Sequence, residues 1–266
     1  MSTCLTDMIN ANGLDFLGLQ ETMKSNYIPS FFRKLDPYQK FHWEWNPSRG
    51  KPGGILCGVN KDKFDILGVK HGKFILQIDL FDRSKKSKWA LMVAYGATHD
   101  EQKPEFMAEM STMCHNTHSY LVGGDFNILC YSGEKNNKKP SHFSNVFNSA
   151  IHLLELREIS MSGGCYIWSN KHENPTLENF NRVLMSSDWE DLYPLVSVHK
   201  MVKEISDHNP LLLDGGWHSR APGNSCFKFD NVWLNNSDFL PLVVEIWSTL
   251  VCRGGHKKLS TESHTK

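Results

Sequence analysis

The chain predicts an α/β protein in which two β-sheets pack face to face with helices on the outside. Two observations carry that prediction. Strand-length apolar runs recur as far as residue 213, several alternating with period two and joined by short glycine or charged turns that suit hairpins. Between them lie a few segments with helical spacing of apolar residues.

In chain order, 3–12 reads as a short amphipathic helix with Leu5, Met8 and Ile9 on one side, and Gly13 is its left-handed stop. Residues 15–20 form a strand. Pro29 and Pro37 act as breakers and leave 24–37 irregular. Strands follow at 38–45, 53–59, 64–70, 73–81 and 89–95, then a helix at 101–115. Residues 119–123 are a strand entering a Gly-Gly turn. A helix at 142–156 gathers Phe143, Val146, Phe147, Ile151 and Leu154 on one face. A strand at 164–169, a short helix at 179–186 and strands at 195–199 and 210–213 complete the pattern, which Gly215-Gly216 closes. Residues 1–216 are therefore expected to be one domain. Residues 217–266 read as a linker or truncated neighbouring segment, with the run FKFDNVWL, an amphipathic helix near Phe239–Val251 and a polar tail.

Composition narrows the function. A hydrophobic content of 40% supports a sizeable core. Twenty-nine basic side chains balance 29 acidic ones, so the whole molecule offers a polyanion no net field. Nucleic-acid binding would have to use local clusters such as RSKKSK at 83–88 or KNNKK at 135–139, both of which also suit solvated turns. Seven scattered cysteines without a CxxC pair argue against a zinc ribbon and for reduced thiols in an intracellular compartment. No run is apolar and long enough to cross a bilayer, and no secretory leader is evident.

Four polar clusters, each beside a strand-like run, carry the chemistry. GLQET places Glu21 at a strand's carboxyl end, where a carboxylate completed by water and a substrate phosphate can hold Mg²⁺; it also suits an ordinary acidic cap. VAYG offers the Tyr95 phenol to a phosphate or to the core rim. GGDFN carries Asp125 and Asn127, two apart on an extended segment and hence on one face, where acid and amide can orient a water and a phosphate oxygen; an Asx-turn is the alternative. SDHNP sets Asp207 beside His208, and the Asn209-Pro210 turn lets them converge so that an imidazole can meet a phosphate oxygen. Trp168 suits either core packing or the wall of a substrate groove.

Taken in order, GLQET, VAYG, GGDFNIL, YIWSN, NRVLMSSDW and SDHNPLLL resemble the endonuclease/exonuclease/phosphatase superfamily, in particular the apurinic-endonuclease-like domain of plant LINE-type (non-LTR) retrotransposons. The resemblance runs from about residue 3 to 214. It implies a DNase I-like four-layer α/β sandwich, two mostly antiparallel sheets flanked by helices, that cleaves DNA phosphodiesters with Mg²⁺ or Mn²⁺. Carried over, Glu21 binds metal, Asp125 activates the attacking water and Asn127 positions water and phosphate. Tyr95 contacts the phosphate, Asp207 aids metal and histidine, and His208 stabilises the pentacovalent state. Trp168, Ser169 and Asn181 fall on the substrate side. The nick would leave a 3′ hydroxyl to prime a reverse transcriptase, a domain missing from this sequence, and a nuclear location is expected.

Three departures from the family pattern look like those of a decayed genomic copy or a mispredicted gene. The family's opening SWNxRG strand is missing, Ile167 replaces a hydroxyl residue, and Asn181 stands where an aspartate normally supports the catalytic histidine. A catalytically inactive nucleic-acid-binding remnant and a phosphatase of the same superfamily are the alternative functions.

Overall fold

The computed structural model describes residues 2–48, 53–136, 142–164, 166–169, 176–202, 206, 208–216 and 237–251. The chain divides into two compact units, Met1–Trp217 and His218–Lys266.

In the first unit, α1 (Ser2–Asn12) ends at Gly13, whose φ of 57° is the expected left-handed stop. The strand β1 (Phe16–Gln20) follows. The stretch predicted to be irregular contains a helix, α2 (Pro29–Leu35). Pro29 starts it: at the first helical position the missing N–H costs nothing and the fixed φ suits the helix. Next come β2 (Phe41–Asn46), β3 (Ile55–Asn60), β4 (Phe64–His71), β5 (Ile75–Asp82) and β6 (Ser87–Tyr95), then α3 (Lys103–His115), β7 (Tyr120–Asp125) and α4 (Ser144–Leu153). The remaining elements are β8 (Arg157–Glu158), β9 (Met161–Ser162), β10 (Trp168–Ser169), β11 (Leu177–Glu178), β12 (Asn181–Met185), α5 (Ser187–Leu192), β13 (Ser197–Lys200) and β14 (Leu211–Asp214).

Three predictions are corrected here. The supposed helix at 179–186 is β12, paired antiparallel with β7 from Asn181↔Asp125 to Met185↔Leu121. The Gly-Gly turn is strand: β7 runs through Gly123 and Gly124 to Asp125. Val146 is exposed rather than on the buried face of α4, whose inward residues include Phe147 and the partly buried Ile151 and Leu154.

Six strands form the main sheet in the order β4-β5-β6-β7-β12-β8, antiparallel except for β6 with β7. Two three-stranded pieces, β1-β3-β2 and β14-β13-β9, face it. Three apolar clusters mark the interfaces between layers. Phe106, Met110 and Phe147 of α3 and α4 pack on Ala90, Met92, Ala94, Val122 and Leu184 of the large sheet. The opposite face, with Leu91, Val93, Leu121 and Val183, packs on Ile55, Cys57, Val59 and Val198. Ile9 and Leu35 of α1 and α2 cover Leu17 and Phe41 on the outside of the second sheet. Three interfaces make four layers. The central strand β6 is buried on both faces, and alternate residues serve the two cores.

In the second unit the described element is α6 (Phe239–Val251), at the predicted helix. The FKFDNVWL run and the polar tail lie outside the described residues. No helix among the described residues is long and apolar enough to cross a membrane. Cys57, Cys114 and Cys130 are buried free thiols. Burial pushes Cys114 up to about 11 and Cys130 up to about 12.

Candidate active site

The parallel pairing of β6 with β7 and the antiparallel pairing of β7 with β12 set Tyr95, Asp125 and Asn181 side by side, Tyr95↔Asp125 and Asp125↔Asn181. These three residues end or begin adjacent strands. They share the parity of Val93 and Val183, whose side chains lie between the sheets. Three polar side chains thus stand in a row at the open end of the sandwich.

The facing layer supplies the rest. Glu21, one residue past β1, accepts a hydrogen bond at Oε1 from the Tyr95 hydroxyl, 2.6 Å away. Burial, then the Glu21 carboxylate and more weakly Asp125, push the Tyr95 phenol well above its usual pKa, so it stays a proton donor. His208, ahead of β14, meets Asn181 Oδ1 through Nδ1 at 2.8 Å. Its Nε2 lies 3.9 Å from Asp125 Oδ2. Through that contact Asn181 holds the ring so that Nε2 is turned toward Asp125. A backbone bridge to Trp168 fixes His208 from the other side.

Asp125 and Asn127 do come together, though not by strand alternation. Asn127 takes a left-handed φ of 52°, and its N–H donates to Asp125 Oδ1 at 2.9 Å, an Asx-turn. Its amide Nδ2 donates to the Gly96 carbonyl at 2.9 Å. The turn expected as the alternative to a site is therefore what builds the site. Gly96 and Gly124 allow backbone segments to approach closely. A Cβ on Gly96 would lie 2.0 Å from the Phe126 carbonyl oxygen, and one on Gly124, where φ is 148°, 2.0 Å from that of Ala94.

Trp168 is half-buried and pairs in register with Glu178, while Ser169 pairs with Leu177. Ile167 is 1% exposed, so its side chain is core and the position does not present a group to a substrate. Asp207 lies outside the described residues.

Sequence reading missed Arg182, next to Asn181 but on the opposite face of β12. Its guanidinium is fully buried, bonded to Glu134 at 3.0 Å through both NH groups and to Glu158 at 3.1–3.2 Å. Glu134 also takes the backbone N–H groups of Cys130 and Tyr131, so the loop after Asn127 is tied to the strand bearing Asn181. The signal was an arginine inside an otherwise apolar run, NRVLM.

RSKKSK precedes or begins β6, at the end remote from Tyr95, and so does not flank this site. Of KNNKK, Lys135 is paired with Glu178, and 137–139 lie outside the described residues. Among the described residues no three His, Cys, Asp or Glu side chains are grouped to hold a metal by themselves. Glu21 is exposed and offers hard carboxylate oxygen, with Asp125 close enough to act on the same phenol. That donor set fits an oxygen-seeking divalent cation that keeps water and substrate oxygens in its shell, and does not fit a thiolate- or imidazole-bound metal.

No protein-family pattern matches the chain, and no curated protein sequence does. Solved structures do match. The endonuclease domain of TRAS1, a telomere-specific non-LTR retrotransposon, superposes with a TM-score of 0.62 at 12% identity, over 80% of this chain and 91% of that one. The AP endonuclease LMAP of Leishmania major gives 0.65 at 16% identity, over 79% and 80%. The 3′-5′ exonuclease NExo of Neisseria meningitidis gives 0.60 at 14% identity, over 80% and 95%. The chain has the DNase I-like fold. In this fold the candidate site occupies the open end of the sandwich, at the carboxyl ends of the parallel pair β6 and β7.

Proposed function

We propose that the chain is a divalent-metal-dependent phosphodiesterase that nicks DNA. The observation that carries this reading is the convergence of Glu21, Tyr95, Asp125, Asn127, Asn181 and His208, drawn from both sheets, at one end of the sandwich. Asp125 takes the proton of the attacking water, which Asn127 helps to orient. The Tyr95 hydroxyl, kept protonated by burial and by Glu21, would turn its single proton from Glu21 to a phosphate oxygen once substrate is bound. His208, turned by Asn181, faces the phosphate as negative charge builds on it. Glu21, with Asp207 as the resemblance implies, would hold Mg²⁺ or Mn²⁺, which supplies Lewis-acid charge at the phosphate.

The motif spellings, together with the likeness to the TRAS1 domain, favour descent from a LINE-type non-LTR retrotransposon of a plant, with nuclear DNA as substrate. The boundary of the nuclease unit is placed near residue 216. A second reading, a remnant that binds DNA without cutting it, is favoured by Asn181, which gives His208 an amide where an acid would share its charge. Incubation of supercoiled plasmid with the purified chain and Mg²⁺ separates the two. Nicked circles that vanish with EDTA support the phosphodiesterase; retention of the plasmid on the protein without nicking supports the remnant.

A further inference from the structure

We propose that the layer facing the main sheet has an open slot between β1 and β14 that takes up one extended segment of a partner protein as an added strand. Backbone hydrogen bonds to both edges would hold it, with an apolar side chain seated over Gly123.

The position of the slot follows from the topology. The facing layer is two pieces, β2-β3-β1 and β9-β13-β14, and no strand pairing joins them among the described residues. The first piece lies with β3 over β5 and β6, and with β1 over β6 and β7. The second starts at the far edge of the main sheet. Ile159, just ahead of β9, donates its N–H to the Val183 carbonyl and so continues the ladder of β8 on β12. The other edge of that piece, β14, is therefore turned toward β1. At the site end the two pieces are anchored on β6, through Glu21 and Tyr95, and on β12, through His208 and Asn181. Those strands are two spacings apart, about 9.5 Å, which leaves width for one strand over β7.

The edges and floor of the slot are open. Asn60 N–H donates to the Asp15 carbonyl, so Leu17 and Leu19 bond to β3 while Phe16, Gly18 and Gln20 turn their N–H and C=O groups away from it. Met201 N–H donates to the Pro210 carbonyl, which in the same way turns those of Leu211 and Leu213 away from β13. Among the described residues these outward groups have no backbone partner. Gly18 is exposed although a Cβ on it would lie 2.9 Å from Val93, so its exposure runs along the free edge. Gly123 is only half-buried although it lies on a central strand paired on both sides. A Cβ there would meet Val183 of its own sheet at 3.8 Å and, among the described residues, no atom of the facing layer within 4 Å.

Two rows of unpaired donors and acceptors beside an apolar floor are complementary to the backbone of an extended chain whose alternate residues are apolar. A bulky one fits over Gly123. The edge strand of a second copy is bound within its own sheet and could reach one row, whereas a free segment reaches both.

The inference does not depend on whether the neighbouring site cleaves DNA. The probe is a capped peptide of about nine residues, alternating threonine and valine with phenylalanine at its centre, added to the full chain without metal. At about a hundredfold its Kd it should raise the melting temperature by about 5–10 °C. Hydrogen exchange of the Gly18 and Leu213 amides should slow by about tenfold or more. N-methylation of alternate peptide amides should weaken binding by about tenfold. Gly123→Val, at a position without positive φ, fills the hollow from below; it should weaken peptide binding by about tenfold and melt no lower than the parent when peptide is absent. An unmoved melting temperature with unchanged exchange would overturn the proposal. Equal binding of the methylated peptide would also overturn it, since the contact would then be apolar adhesion. So would a dimer of the peptide-free chain that protects the same amides, which would assign both edges to a second copy.

Discussion

His208 Nδ1 lies 2.8 Å from Asn181 Oδ1, and this contact sets the ring's orientation. The two residues are 27 positions apart and come from opposite sheets. An amide in this place holds the imidazole but adds no negative charge to stabilise an imidazolium.

The substitution Asn181→Asp is therefore expected to raise the rate of Mg²⁺-dependent plasmid nicking, by up to the order of 10²–10⁴ associated with full acid–base assistance. The gain should fall on kcat with KM little changed, because the added charge matters as phosphate charge builds. Single-turnover kinetics on a nicking substrate would measure it. Equal rates in parent and variant would show that the amide does not limit the chemistry.

Glu21→Gln keeps the shape of the side chain and its contact with Tyr95 while removing the charge. Metal-dependent nicking should fall by on the order of 10²–10³, as for loss of a charge-stabilising group. The melting temperature should hold, since Glu21 is exposed. A titration of rate against Mg²⁺ in both proteins decides the matter; overlapping curves would remove Glu21 from the metal site.

Gly96→Ala would force a Cβ to within 2.0 Å of the Phe126 carbonyl oxygen. Backbone cannot yield there as a side-chain tip can. A loss of about 1–3 kcal/mol in stability is expected by urea denaturation. Activity should fall further than stability explains, because the Gly96 carbonyl receives the Asn127 amide.

Replacing Arg182 with leucine leaves Glu134 and Glu158 as unpaired partly buried charges, a loss of about 3–5 kcal/mol. Thermal melting and proteolysis of the 126–136 loop would report it. A variant as stable and as protease-resistant as the parent would mean that the loop is held by its other contacts.

Asp82 supplies a pH dependence of known sign. Burial alone would raise its pKa, but hydrogen bonds from Ser84, Tyr193 and the backbone outweigh that and hold it below the usual value. A depressed folded-state pKa contributes stability that is present above the unfolded pKa of about 3.9 and is lost as pH falls through the folded value. Asp82→Asn should lower the midpoint of urea unfolding at pH 7, and parent and variant should converge below about pH 3. A constant gap down to that pH would show that the carboxylate's charge contributes nothing.

Much of the fold was legible because its strands carry their own pattern. The runs at β3, β5 and β6 are apolar and bounded by turn residues, and α3 has length and spacing of its own. The misread element shows where such reading ends. Val183, Leu184 and Met185 are consecutive apolar residues buried on both faces of β12, and a short run of that kind has no period that separates strand from helix. Pro29 likewise reads as a breaker or as a helix start, and only the aromatic packing of Tyr27, Phe31 and Phe32 beside Trp43 and Trp45 selects the start.

The sequence by itself singled out Glu21, Tyr95, Asp125, Asn127 and His208 as candidates, and the strand ends on which most of them sit. Tertiary structure alone decided that Tyr95, Asp125 and Asn181 form one row, and that Asn127 reaches the site through a left-handed turn. It also decided that Arg182 is a buried tie. The reason is physical. Register between strands distant in sequence is fixed by how both sheet faces pack, and a buried charge is tolerated only once its partners arrive. Neither condition is written in any local stretch of the chain.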